Sequence, residues 1–242
     1  MDFADAVEQH FPGSLDEGRF VEQTREVLGP FGFTAANTLA IVGVCRDELC
    51  RTLRLAVQRA WGEAFDITSL AGMVNCGHTG LKAAHRHAPI EEGRERYVYI
   101  VMAHIGIGEG GELGHSRRAG RPGLSSACGA LSGVLAELQS GRVDTVLHWD
   151  DIEQSLLRRR LIDRLPWGAT PNLAELTHTA HTLVREELEE LIAVAADASK
   201  ADYAIFTGIQ IHGLNGEQLS WIHRPYAMVE GKRQELASKL TA

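Results

Sequence analysis

Leu39-Ala40-Ile41-Val42-Gly43-Val44-Cys45-Arg46-Asp47-Glu48-Leu49-Cys50-Arg51 decides how this chain is read. An apolar run ends at a cysteine, and a carboxylate follows two residues later. Leu49, Leu53, Ala56, Val57 and Ala60 then recur on one face of a 3.6-residue period. A buried strand feeding a helix is the repeating unit of an α/β sheet. Such sheets place their sites at the carboxyl ends of strands. A strand that stops at Cys-x-Asp delivers a thiolate and an acid to that edge, which is half of a zinc site.

Working outward, residues 1–36 read as a helical lead-in, with Phe3, Val7, Phe20, Val21 and Val27 spaced for burial and a turn at Pro12-Gly13. Residues 37–242 then read as one α/β domain, since strands and helices alternate with no repeat or linker. Residues 63–96 read as loop-rich, carrying Cys76-Gly77-His78 and His85-Arg86-His87. Tyr97 to Ile105 is the strongest strand, with His104 near its end. After a glycine-rich turn and the basic run His115-Ser116-Arg117-Arg118, Ser125-Ser126 open a helix with Cys128 in its first turn. Asp150 and Glu153 resemble a capping box for a helix to about Leu165, and a longer helix runs from Asn172 to Ala198. Two strands, Tyr203 to Ile211 and Leu219 to Val229, close the domain around the hairpin signal Asn215-Gly216.

At 242 residues, 44% apolar and 23% charged, the composition is that of an ordinary globule. A net charge of -8 disfavours a nucleic-acid partner. No apolar run approaches the ~20 residues that span a bilayer. Met1-Asp2-Phe3-Ala4-Asp5 is an acidic opening, so a cytoplasmic location with reduced thiols is expected. Four cysteines in that setting serve as metal ligands, catalytic groups or core residues more readily than as disulfides.

Cys45 and His104 end strands, and Cys128 sits at a helix N-terminus, where the dipole favours thiolate. Two thiolates and an imidazole leave a tetrahedral zinc one open position, the pattern of a catalytic site. The separations, 45 to 104 and 104 to 128, are too long to be diagnostic, and all three residues would also serve as buried core. Cys76 and His78 are rival ligands, Cys50 reads as core, and a Cys45–Cys50 redox pair is an extra option. Asp47 could fill the fourth position or accept a hydrogen bond from zinc-bound hydroxide. Arg51 can pair with it at i,i+4. Gly106-x-Gly108-x-x-Gly111 matches a dinucleotide fingerprint only formally: Glu109 and Glu112 would repel a pyrophosphate and no amphipathic helix follows.

Cys45-Arg46-Asp47-Glu48-Leu49-Cys50-Arg51, His104-Ile105-Gly106-Ile107, Gly120 to Leu131 and Ala201 to Gly213 together resemble the limiting-CO2-inducible B/C family, which is similar to the β-carbonic anhydrases. The resemblance runs from about residue 38 to 229. It implies a β-carbonic-anhydrase-like fold, with a central mixed sheet flanked by helices, and one zinc on Cys45, His104 and Cys128. It also implies reversible hydration of CO2 to bicarbonate by zinc-bound hydroxide, with Asp47 as the switching carboxylate. The arginine that β-carbonic anhydrases carry four residues after the first cysteine is Leu49 here, which leaves Arg51 as the inferred partner. His85 and His87 are candidate proton shuttles. A homodimer is implied, with Trp221 and Tyr226 as candidate contacts. The alternatives are a catalytically silent zinc- or bicarbonate-binding protein of inorganic-carbon handling, and a zinc hydrolase acting on CS2 or COS.

Overall fold

Two long strands, β5 (Arg94–Gly106) and β8 (Ala201–His212), are the spine of the sheet in the computed structural model, which describes residues 1–197 and 199–240. With the spine numbered in chain order, the remaining strands are β1 (Leu15–Asp16), β2 (Leu39–Gly43), β3 (Ala64–Asp66), β4 (Ile90–Glu91), β6 (His115–Ser116), β7 (Ser125–Ser126), β9 (Gln218–Ile222), β10 (Tyr226–Val229) and β11 (Lys232–Glu235). The helices are α1 (Phe3–His10), α2 (Glu17–Leu28), α3 (Arg51–Trp61), α4 (Gly77–His85), α5 (Gly129–Ser140), α6 (Ile152–Arg164) and α7 (Leu173–Ala195).

Among the described residues nine strands share one mixed sheet, its main path running β1-β9-β8-β5-β2-β3. β3, β2, β5 and β8 are parallel, and β5 and β8 stay in register from Glu95↔Ala201 to Gly106↔His212. That parallel centre is covered on both faces, which is why β5 is buried without alternation from Tyr97 to Gly106. β9 pairs antiparallel with the carboxyl half of β8 and β10 with its amino half. α7 is fixed by a reciprocal capping box between Asn172 and Glu175 and buries Leu176, Leu183, Leu188 and Ile192. Among the described residues no helix is long and apolar enough to cross a membrane.

Four local readings change. The segment read as loop holds α4, whose buried Leu81, Ala84 and His85 face the core; two glycines in its first turn hide the periodicity. The segment read as one strand from Leu219 to Val229 is broken between β9 and β10, where Pro225 has no N–H to donate and Arg224 takes φ 45°. Ser125-Ser126 do not open a helix: they pair with His115-Ser116, and α5 starts after Cys128, its N-cap residue. Asp150 and Glu153 form no capping box, because Glu153 is drawn to Arg46 and to the Leu70 amide. The lead-in is knitted into the same core: β1 pairs with β9, and Phe20 meets Phe206 edge-on at 5.9 Å.

Candidate metal centre

The carboxyl edge of the parallel strands gathers Cys45, His104 and Cys128, whose ligand atoms all lie within 4.8 Å of one another. Cys45 follows β2, His104 lies near the end of β5, and Cys128 caps α5. The last is brought in by a fold-back of the glycine-rich segment. Gly114 N–H donates to the Gly106 carbonyl at 2.7 Å, and Gly106 N–H donates to Ala127 at 2.9 Å. A Cβ at Gly106 would sit 2.3 Å from the His115 carbonyl oxygen, so this approach requires glycine. The fingerprint-like glycines therefore build a turn that closes on itself through Gly108 N–H to the Glu112 carbonyl.

Two observations fit the cluster to a tetrahedral soft-metal site. The Cys45 and Cys128 sulfurs are 3.7 Å apart, and the edge of a tetrahedron with Zn–S bonds of about 2.3 Å is about 3.8 Å. His104 is fully buried, and among the described residues neither ring nitrogen meets a partner at hydrogen-bond geometry. Buried polar atoms are ordinarily satisfied, so an imidazole orphaned between two thiols leaves its ring nitrogens available to a metal ion.

The electrostatics agree. The S–H of Cys128 donated to Cys45 is the largest influence lowering the Cys45 pKa; burial opposes it, His104 and the Asp47 backbone add to it, and the thiol falls to about 4. Cys128 is raised, through that same donation and burial. Burial disfavours charge on His104, yet the sulfurs of Cys50 and Cys128 pull its pKa well above the usual histidine value. The cluster is thus built to keep anionic sulfur beside positive charge, the balance that a bound cation would supply. The Ala71 N–H also donates to the Cys45 sulfur at 3.2 Å.

Asp47 is clamped by Arg118, which sequence reasoning missed. Arg118 Nη1 and Nη2 donate to Asp47 Oδ1 and Oδ2, both at 2.7 Å. The same guanidinium donates to Ser125 Oγ and the Ser126 carbonyl and pairs with Glu48. Burial pushes the Asp47 carboxyl up; the Arg118 hydrogen bonds, His104 and the Leu49 amide outweigh it and hold the group at about 2. Arg51 is therefore not the partner of Asp47. Asp47 has an extended backbone and caps a 3-10 turn, Glu48–Cys50, and α3 begins only at Arg51, so the two never share an α-helical i,i+4 pair. Arg51 is exposed and instead lines a cavity of about 130 Å³ together with Cys45, Asp47, Glu48 and Thr68. A neighbouring cavity of about 430 Å³ shares Arg46, Arg54 and Thr68 with it. The only sequence trace of Arg118 was its place in a basic run between the glycine turn and the serine pair.

The remaining candidates lie elsewhere. His85 is stacked on Tyr97 at 4.2 Å and its Nε2 is 2.6 Å from the Tyr99 hydroxyl. Tyr99 is five residues back along β5 from His104, roughly 16 Å at the rise of a strand. His87 is exposed and rests against Phe65, which is level with Ile41 and hence with Tyr99. Neither histidine is placed to shuttle protons at the carboxyl edge. Among the described residues, Cys76 and His78 join no metal-binding group. Cys50 does: with His104 and His212 it forms a second group, also within 4.8 Å. Burial and the neighbouring His104 hold the His212 pKa down at about 3, so that imidazole is neutral. Trp221 and Tyr226 are engaged within the chain, Trp221 stacked on His223 and Tyr226 beneath Arg233.

The family model described as limiting CO2-inducible proteins B/C beta carbonic anhydrases matches residues 14–229. Among solved structures, the chain is similar to the limiting CO2-inducible protein LCIB at 30% identity and a TM-score of 0.76, over 94% of this chain and 95% of that one. It is similar in fold to PtLCIB4, described as a homolog of LCIB, at 21% identity and a TM-score of 0.78, over 96% and 98%. No curated protein sequence matches it.

Proposed function

The chain belongs to the limiting CO2-inducible B/C family, and from that premise we propose that it is a zinc-dependent carbonic anhydrase interconverting CO2 and bicarbonate. The observation that carries the proposal is the orphaned His104 between two thiols 3.7 Å apart, with a clamped carboxylate at the same edge. Cys45, His104 and Cys128 would hold the zinc, which when bound supplies Lewis acidity and makes water a nucleophile near neutral pH.

The chain's own residues do the rest. The cavity of about 130 Å³ suits a triatomic substrate, and Cys45 and Asp47 line it. Arg118 keeps Asp47 ionised, so the carboxylate only accepts hydrogen bonds. Oδ1 takes Arg118 and the Leu49 N–H, while Oδ2, among the described residues, takes Arg118 alone. Oδ2 thus keeps an acceptor site with which to orient the attacking water. Arg51 and Arg54, on the same walls, favour an anionic product at the mouth. The proposal includes a homodimer, tested by light scattering on the eluted protein.

Stopped-flow CO2 hydration on zinc-loaded protein tests the activity. A rate above buffer that disappears with Cys128→Ser supports it. A rate no better than buffer at full zinc occupancy refutes it, and leaves either a silent zinc- and bicarbonate-binding protein or, if CS2 or COS is turned over, a related hydrolase.

A further inference from the structure

His104 has two ring nitrogens, both buried and, among the described residues, neither at hydrogen-bond geometry with a partner. A metal held with Cys45 and Cys128 satisfies one of them. The other then carries the hydrogen, and a buried N–H without an acceptor is costly. The second group around the same imidazole, Cys50 and His212, supplies the candidates, since its ligand atoms lie within 4.8 Å of that of His104 and of each other. Both residues are fully buried.

The hydrogen bonds beyond them have a direction. Gln218 stands opposite His212 in the β8–β9 ladder, and its Oε1 lies 2.6 Å from His212 Nδ1. An amide oxygen only accepts, so the hydrogen is on Nδ1, and Nε2 is the acceptor end of the ring. Cys50 Sγ lies 3.8 Å from that Nε2. The S–H of Cys50 therefore points at His212, and the sulfur lone pairs are left for another donor. The N–H of His104 is the unpaired donor beside it.

We propose that Cys50, oriented by His212 and Gln218, is the positioning residue of the metal ligand His104, its sulfur accepting the N–H of the imidazole nitrogen that the metal does not use. Metal-ligating histidines ordinarily give this hydrogen to a carboxylate, a carbonyl or water, and the partner fixes the tautomer and the ring's angle. Here a thiol fills the role, locked by a hairpin on the far side of the sheet's centre. The inference rests on His104 being a metal ligand, as under the proposed function, but not on turnover.

The test is zinc affinity of the full chain, by competition with a chelator, with Co2+ as the spectroscopic probe. Cys50→Ala keeps one zinc per chain at saturation but binds it about 10- to 100-fold more weakly, the usual effect of losing such a partner. Cys50→Ser, whose hydroxyl accepts and donates in the same sense, recovers most of the loss, and His212→Ala loses affinity alongside Cys50→Ala. In the cobalt form of Cys50→Ala the ligand-field bands shift while the thiolate-to-cobalt charge transfer keeps its wild-type intensity. Unchanged affinity in Cys50→Ala overturns the inference and leaves the anhydrase proposal standing. Loss of one thiolate's charge transfer also overturns it, because Cys50 would then be a ligand. Inactive but tightly zinc-binding wild-type protein has the opposite meaning: the anhydrase reading fails and the positioning role survives.

Discussion

A buried histidine lies at each end of β5, His85 of α4 against its amino half and His104 near its carboxyl end, and they are opposites. At the amino end His85 is satisfied: it stacks on Tyr97 and hydrogen-bonds Tyr99. At the carboxyl end His104 is more deeply buried and, among the described residues, neither ring nitrogen meets a partner at hydrogen-bond geometry, with two thiols and a thiol–imidazole pair around it. Burial alone does not mark a functional histidine. What sets His104 apart is burial without a partner in a ring flanked by thiols, a cost that a bound metal would offset. The same contrast separates the arginines. Arg118 is fully committed to Asp47 and its neighbours, whereas Arg51 faces solvent at the cavity mouth.

The comparison breaks most decisively at the thiols. Cys128→Ser should lose stoichiometric zinc and all zinc-dependent activity, while Cys76→Ser keeps one zinc per chain; metal analysis of the purified variants decides it, and the reverse result would move the ligand set to the Cys76 side. Next in size is the clamp. Hydrogen bonds to a charged group are worth about 1.5–3 kcal/mol, so Arg118→Ala should slow CO2 hydration by about 10- to 100-fold. Arg51→Ala, at the solvent-facing mouth where Arg54 still favours the anionic product, should cost no more than about twofold. Equal losses in the two variants would erase the distinction between the arginines.

How far the site was legible in sequence follows from which contacts are local. Cys45 and Asp47 were legible because a strand end and the next turn are fixed by adjacent residues. His104 and Cys128 were legible as residue types at element ends, but their meeting depends on β5 lying beside β2 and on the fold-back at Gly106. Arg118 was not legible: it is 71 residues from Asp47, and the i,i+4 rule offered a nearer arginine that the intervening 3-10 turn disqualifies. His212 was hidden by β8, where a fully buried run gives no reason to single out its last residue. The outline of the parallel sheet was legible from apolar runs. α4 and the break between β9 and β10 were not, because glycine and proline placement there disguises the pattern.

The clamp also has a pH signature. The Asp47 carboxyl is held at about 2 in the folded chain, below its ordinary 3.8. A lowered carboxylate pKa contributes stability that is fully present above the ordinary value and is lost as the pH falls through 3.8 toward 2. Asp47→Asn should therefore flatten acid unfolding in that window, and Arg118→Ala, which leaves burial to push the Asp47 carboxyl up, should flatten it too while lowering stability at neutral pH. Chemical denaturation at a series of pH values reads both. An Asp47→Asn curve parallel to wild type would mean that the clamp is not formed in solution.

The smallest effect on the site belongs to the other end of β5. His85→Phe keeps a ring against Tyr97 but leaves the buried Tyr99 hydroxyl unpaired, which costs about 1–3 kcal/mol of stability. Zinc affinity and CO2 hydration should not change, since the partnered histidine has no part in either. Its pH dependence runs opposite to that of a salt-bridged histidine. Burial lowers the His85 pKa, so the folded state favours the neutral ring, and its contribution is present above the ordinary histidine value of ~6.5 and lost as the pH falls below it. His85→Phe should accordingly lose less stability than wild type between pH 7 and pH 5.5, the two measured side by side by denaturant titration. If His85→Phe instead weakens zinc binding, the two ends of the strand are coupled, and partnering no longer separates the structural histidine from the ligand.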